Sequence, residues 1–309
     1  MSSDYDTVII GGGPAGLTAA LYAGRYRLGT LLVEKAMHGG QVITTESVEN
    51  YPGFKEAVPG TELVMAMLEQ AKRFGARLVS AEVSELRLDG DEKVVLAGDG
   101  EYRSRTVIIA SGQSPRTLGI PGEKELRGRG VSYCATCDGP LYQGKTVAVI
   151  GGGDAACEEG YALTKHVRKV YLIHRRDELR AAKSIQELVL GNDKIEILWD
   201  TVPVAIEGDS AVQKIRLHNK KTNSDGELEV DGVFFYIGWT PNTGFIKFEI
   251  EKDSSGHIMA PESTATSVPG VFAAGDVRHK NLRQIITAAA DGANAAHAAD
   301  LYLREHGNS

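Results

Sequence analysis

Two glycine-rich turns of the same design limit what this chain can fold into. In the first, the β-branched run Thr7-Val-Ile-Ile10 meets Gly11-Gly-Gly13-Pro14-Ala15-Gly16, and an alanine-rich stretch continues to Arg25. In the second, Lys145-Thr-Val-Ala-Val-Ile150 meets Gly151-Gly-Gly153-Asp154-Ala155-Ala156, and a helical pattern continues to about Lys165. Each reads as strand, tight turn and helix, the opening of a dinucleotide-binding βαβ unit. The first glycine permits the turn and the second lets a pyrophosphate approach the backbone. The third small residue lets helix and strand pack closely. The helix start then offers unpaired N–H groups to phosphate. Two such units, one opening at Gly11 and the other at Gly151, predict an α/β chain with two Rossmann-like domains. They also give a place to part of the glycine content, 36 residues of 309.

The strand after each helix ends on a different charge. Thr30-Leu-Leu-Val33 runs into Glu34, 23 residues beyond Gly11. Lys169-Val-Tyr-Leu-Ile173 runs into His174-Arg175-Arg176, with the histidine 23 residues beyond Gly151. A carboxylate at that place accepts hydrogen bonds from ribose hydroxyls but repels a 2′-phosphate, whereas guanidinium groups pair with one. Arg180, two predicted turns further on, adds a third cation. The first unit therefore suits a dinucleotide without a 2′-phosphate, and the second suits NADP(H).

Between the units, Val83 to Arg103 reads as short strands with turns at Asp89-Gly90 and Gly98-Asp99-Gly100. Thr106 to Gly112 reads as a separate buried strand. Turn-rich connections are expected from Ser114-Pro115 to Pro121-Gly122 and again from Gly238 to Gly244. Gly270 to Val277 repeats the pattern of a strand ending in glycine and acid, here Gly275-Asp276, and a helix is expected from about Arg283 to Glu305. Asp291-Gly292 near its middle marks either a bend or a close backbone approach. This last segment is too short for a third domain, so the chain is expected to return and complete the first.

The 41 acidic and 34 basic side chains give a net charge of -7, which offers no support for nucleic-acid binding. No apolar run approaches the length of a membrane span. Met1 to Thr7 carries Asp4 and Asp6 and lacks the layout of a signal peptide, so a cytoplasmic protein is expected.

Cys134 and Cys137 form a C-x-x-C pair followed directly by Asp138, and Cys157 stands apart in the helix after Gly153. A close pair in reducing cytosol points to redox or metal chemistry. No second C-x-x-C or close Cys/His pair completes a zinc site, so no metal is expected. Two thiols at this spacing can close a short disulfide, and Asp138 can give or take a proton. Cys157 is expected in the core.

Together these segments resemble the low-molecular-weight thioredoxin reductases of bacteria and archaea. The matching stretches are Gly11 to Gly16, Gly39-Gly40-Gln41, Glu49 to Gly53, Cys134-Ala-Thr-Cys-Asp138, Gly151 to Ala156, His174 to Arg176, Gly275-Asp276 and Arg283-Gln284. The resemblance implies two three-layer ββα domains. A discontinuous FAD domain of residues 1–116 and 245–309 holds an inserted NADPH domain of residues 117–244. It implies a homodimeric flavoenzyme that passes electrons from NADPH through FAD and a Cys134–Cys137 disulfide to the disulfide of thioredoxin. By position, Cys137 is the flavin-side thiol, Cys134 attacks thioredoxin and Asp138 is the acid/base. The FAD positions are Gly11, Gly13, Pro14, Ala15, Gly16, Glu34, Lys35, Gly39, Gly40, Gln41, Asn50, Ala110, Gly112, Gly275, Asp276, Arg283 and Gln284. The NADPH positions are Gly151, Gly153, Asp154, Ala155, His174, Arg175, Arg176 and Arg180. Pro140 and Leu141 stand where some members have two aromatics, on a surface expected to dock thioredoxin together with Arg129. A ferredoxin–NADP reductase of similar fold lacks the cysteine pair, so Cys134 and Cys137 argue against that reading.

Overall fold

The apolar run before the first glycine turn forms strand β1, Tyr5–Ile10, in a computed structural model that describes residues 4–45 and 48–306. Helix α1, Pro14–Arg25, follows with Gly13 at its N-cap and proline at its first position, where the missing N–H costs nothing. Gly11 adopts φ +107°, and a Cβ there would run into the Ala110 carbonyl. A Cβ on Gly16 would run into the Gly11 carbonyl oxygen, so the helix start lies directly on the turn.

The chain divides into two compact units, Met1–Ser114 with Thr240–Ser309, and Pro115–Trp239. In the first, β1 is flanked in parallel by β2, Thr30–Glu34, and by β6, Gly100–Ile109. The sheet runs β3-β2-β1-β6-β5-β4, where β3 is Arg77–Ser80, β4 is Val83–Asp89 and β5 is Glu92–Ala97. The strand Val271–Ala273 joins it in parallel beside β6. Ile9, Leu32, Ile108 and Phe272 pack towards the helices α1, Gly60–Arg73 and Ile285–His306. Val8, Ile10, Leu31, Val33, Val107 and Ile109 pack towards Leu86 and Val95 of the antiparallel strands. Both faces are covered, so the parallel strands read as unbroken apolar runs.

One sequence expectation is corrected here. Residues 106–112 are not a separate strand, because β6 runs without interruption from Gly100 to Ile109. Its first half pairs antiparallel with β5 and its second half pairs parallel with β1, so one strand serves both layers.

The inserted unit repeats the plan. Its five parallel strands run in the order Ile195–Leu198, Lys169–Ile173, Thr146–Ile150, Gly232–Phe235, Val131–Ser132. Val147, Val149, Leu172 and Phe234 cluster with Cys157 and Leu163 of the helix Asp154–Leu163. Ala148, Ile150, Val233 and Phe235 cluster with Ile206, Ile215 and Leu217 of an antiparallel three-stranded sheet. Each unit is thus a three-layer ββα Rossmann-like fold.

Residues 174–182, which carry Arg180, are irregular. The Arg180 amide donates to the Gly152 carbonyl at 2.7 Å, and the Ala182 amide donates to Asp154 Oδ1 at 2.7 Å. These bonds stitch the segment to the glycine turn.

The C-terminal helix resolves the choice offered by Asp291-Gly292 as a close approach. A Cβ on Gly292 would run into the Ala15 carbonyl oxygen of α1. Among the described residues, no helix is long and apolar enough to cross a membrane.

Candidate active site

Three glycine stretches converge in the first unit. Gly39 takes φ +128° and its amide donates to the Gly12 carbonyl at 2.7 Å. A Cβ built on Gly40 would lie 3.1 Å from the Gly13 Cα, and one on Gly275 would lie 2.9 Å from the Ala15 Cβ. Gly11, Gly13, Pro14, Ala15, Gly16, Gly39, Gly40 and Gly275 are therefore gathered at backbone distance. Ala110 backs Gly11, and the Gly112 carbonyl accepts the Asn242 amide at 3.0 Å.

Glu34 closes this turn. Its Oε2 accepts from the Gly12 amide at 2.7 Å and its Oε1 from the Ala36 amide at 3.0 Å. A carboxylate offers about four lone-pair positions, so further acceptor capacity remains for a ribose. Lys35 turns elsewhere, with its ammonium 3.5 Å from Glu82 in an exposed pair. Gln41 donates from Nε2 to the Gln113 carbonyl at 2.6 Å, and Asn50 donates from Nδ2 to Gln284 Oε1 at 3.1 Å. Burial pushes the Asp276 carboxyl above its ordinary range, against the pull of Lys280 and Arg283. The buried Nε of Arg283 has no hydrogen-bond partner. A bound group carrying an acceptor would satisfy it, and the glycine cradle leaves backbone room for phosphates, so these residues fit a flavin dinucleotide.

The second glycine turn shows the same fit. Gly151 takes φ +153°, and a Cβ there would lie 2.6 Å from the Tyr236 carbonyl oxygen, while Gly153 faces open space. Asp154 braces Ala182, leaving Ala155 exposed at the helix start. His174 is 5% exposed and lies against Gly152, where a Cβ would run into its ring. Burial lowers its pKa, and backbone hydrogen bonds with Glu178 and Gly151 work the other way. Its Nε2 is buried without a partner. Arg175, Arg176 and Arg180 are all exposed, and none forms an ion pair among the described residues. Three guanidiniums without ion pairs around a glycine turn fit a 2′-phosphorylated nucleotide.

Cys134 and Cys137 are joined in a disulfide with a Cα–Cα distance of 5.3 Å. The one-turn helix Ala135–Asp138 carries them, with Cys134 as its N-cap. The Cys137 amide donates to the Cys134 sulfur at 3.2 Å. Ser132 Oγ donates to Asp138 Oδ2 at 2.5 Å and accepts from the Cys134 amide at 3.1 Å, tying the acid to the cysteine turn. Cys157 is fully buried, and burial pushes its thiol up to about 11, which makes it inert. No group of three or more metal-ligating side chains occurs among the described residues.

Residues 5–292 match the family model described as pyridine nucleotide-disulphide oxidoreductase. The chain is 48% identical to a thioredoxin reductase of Treponema pallidum, covering 98% of each chain. It is 47% identical to one of Bacillus subtilis, covering 97% of this chain and 95% of that one. Its structure is similar to the crystal structure of thioredoxin reductase from Streptococcus pyogenes, with a TM-score of 0.92 and 45% identity over 97% of this chain and 98% of the other. The chain belongs to the thioredoxin reductases.

Several side chains around this thioredoxin reductase site lie outside any motif. Ser132 holds Asp138, and Tyr236 Oη accepts from the Ala135 amide at 2.5 Å. Glu159 accepts from Thr136 Oγ1 at 3.4 Å, and burial raises its carboxyl pKa. His38 lies beside Gly12 with Nδ1 buried and unpartnered. Asp291 takes the Gly275 amide at 3.0 Å, Arg278 Nε at 2.9 Å and Lys280 Nζ at 2.7 Å. Their only sequence signal is a polar residue interrupting or ending an apolar run.

Proposed function

We propose that the chain catalyses NADPH-dependent reduction of thioredoxin: NADPH, a proton and oxidised thioredoxin give NADP⁺ and the thioredoxin dithiol. The observation that carries this reading is the Cys134–Cys137 disulfide on the same unit as a glycine turn edged by unpaired arginines. Arg175, Arg176 and Arg180 hold the 2′-phosphate, and the His174 ring packs beside the turn. Gly151, Gly153 and the amides at Asp154 and Ala155 receive the pyrophosphate. On the other unit, the turn from Gly11 through Gly13, Pro14, Ala15 and Gly16, with Gly39 and Gly40, takes the pyrophosphate of FAD. Glu34 accepts from its ribose. Gln41, Asn50, Ala110, Gly112, Gly275, Asp276, Arg283 and Gln284 serve the flavin end. Lys35, turned to Glu82, contributes only its backbone.

FAD, when bound, relays an electron pair from NADPH to the disulfide. Reduction of that disulfide consumes two electrons and two protons. Cys137 is the thiol on the flavin side, and Asp138, fixed by Ser132, holds and delivers a proton to it. Cys134 as thiolate attacks one sulfur of the thioredoxin disulfide, and the resulting mixed disulfide is resolved by Cys137. Exposed Pro140, Leu141 and Arg129 offer a docking surface beside Cys134.

The dithiol and the arginine-edged turn belong to one inserted unit, and both have to present themselves at the flavin. Rotation of that unit about its two chain crossings would alternate them. The family resemblance further supports a homodimer working in the cytoplasm. The test is optical. The purified protein should be yellow, bleach with NADPH and regain colour on addition of oxidised thioredoxin. A flavin that bleaches but does not recover with thioredoxin would refute the activity.

A further inference from the structure

Tyr236 follows the buried strand Gly232–Phe235, and it touches both working parts of the inserted unit. Its amide pairs with the Ile150 carbonyl at 2.8 Å, and its own carbonyl oxygen lies against Gly151 of the nucleotide turn. Its hydroxyl reaches across to the cysteine turn and accepts the Ala135 amide at 2.5 Å. Three other amides of that turn are differently engaged. Cys134 donates to Ser132, Cys137 to the Cys134 sulfur and Asp138 to the Cys134 carbonyl.

We propose that Tyr236 is a positioning residue for the redox-active turn: its hydroxyl captures the Ala135 amide and so withholds one N–H dipole from the Cys134 sulfur. The turn is held in place by this bond on one side and by the Ser132–Asp138 bond on the other. Two consequences follow for the reduced enzyme. The thiolate of Cys134 is stabilised by the Cys137 amide without the additional field of an unpaired Ala135 amide, which keeps the attacking thiol more basic and more nucleophilic. The phenol oxygen also places the negative end of its dipole beside the turn, which acts in the same direction. Burial, followed by the carboxyls of Glu159 and Asp138, keeps the phenol protonated across the working range. These two carboxyls, Glu159 from the helix Asp154–Leu163 and Asp138 from the turn itself, are the acidic groups facing it.

The proposal rests on Cys134 being the attacking thiol, but its test needs neither thioredoxin nor NADPH, so its failure is distinguishable from failure of the activity. The flavin-loaded protein carrying Cys137→Ser is treated with iodoacetamide across a pH series, and alkylation of Cys134 is read by peptide mass spectrometry. Fully buried Cys157 does not compete. Adding Tyr236→Phe should move the midpoint of the Cys134 profile down by about half a pH unit or more, because an amide hydrogen bond or dipole acts strongly on a charged sulfur. In an Ala135→Pro background, which has no amide N–H at that position and places proline where a helix start accepts it, Tyr236→Phe should move the midpoint much less. An unchanged midpoint or an upward shift on Tyr236→Phe would overturn the proposal. So would an equal downward shift with and without the Ala135 amide. If Ala135→Pro does not fold, the sign of the Tyr236→Phe shift alone decides.

Discussion

Replacing Arg175 and Arg176 best separates the proposed recognition of the 2′-phosphate from everything else the site does. Both are exposed and form no ion pair among the described residues, so removing them leaves no buried charge behind. Charge-assisted bonds to phosphate contribute about 1.5–3 kcal/mol each. The double substitution Arg175→Ala/Arg176→Ala should therefore raise the KM for NADPH by on the order of a hundredfold while leaving the KM for NADH nearly unchanged. Steady-state kinetics with both nucleotides checks this, and equal losses for the two would contradict it. Lys93 makes a second residue-scale case. It is 3% exposed, its ammonium donates to the Asp91 carbonyl at 2.8 Å, and burial lowers its pKa. Below its folded pKa the protein has to carry a buried charge that the unfolded chain keeps in water, so stability falls as pH drops through that value. Lys93→Met should raise Tm at neutral pH, and the gain should shrink as pH rises towards the ordinary lysine pKa. At this scale, Glu34 and His174 were legible in the sequence because their distance from the glycine turn is set by one strand and one helix. Asp291 was legible only as an interruption, since its partners Gly275, Arg278 and Lys280 are reached by folding back across a loop.

At the scale of elements, the close crossing of α1 and the C-terminal helix depends on glycine. A side chain at Gly292 would normally improve a helix by up to about 1 kcal/mol, since glycine is a poor helix former. Here a Cβ would meet the Ala15 backbone, and overpacking costs about 1–3 kcal/mol. Gly292→Val should lower Tm and weaken FAD retention, because Ala15 belongs to the glycine turn proposed to take the FAD pyrophosphate. Gly226→Val, on the strand Ser224–Glu229 with open space around its Cβ position, should do neither. Thermal melts and bound-flavin content of the two variants give the comparison. The sequence periodicity located the strands and helices that carry both glycine turns, because each is buried on a repeating face. It failed at β6, where two pairing partners of opposite direction meet along one strand. That miss concerns tertiary hydrogen bonding that leaves no local pattern.

At the scale of the whole molecule, the account requires the inserted unit to present two different parts of itself during each cycle. A crosslink that fixes this unit to the flavin-binding one should stop multiple turnover while leaving bound flavin in place, and undiminished turnover in the locked protein would count against rotation. The central claim is narrower and is tested by one assay: NADPH oxidation at fixed enzyme with increasing oxidised thioredoxin, for the wild type and for Cys134→Ser and Cys137→Ser. The account predicts thioredoxin-dependent, saturable NADPH consumption by the wild type and its loss in both serine variants, with NADPH still able to bleach their flavin. Thioredoxin-dependent consumption that survives loss of either cysteine would contradict it.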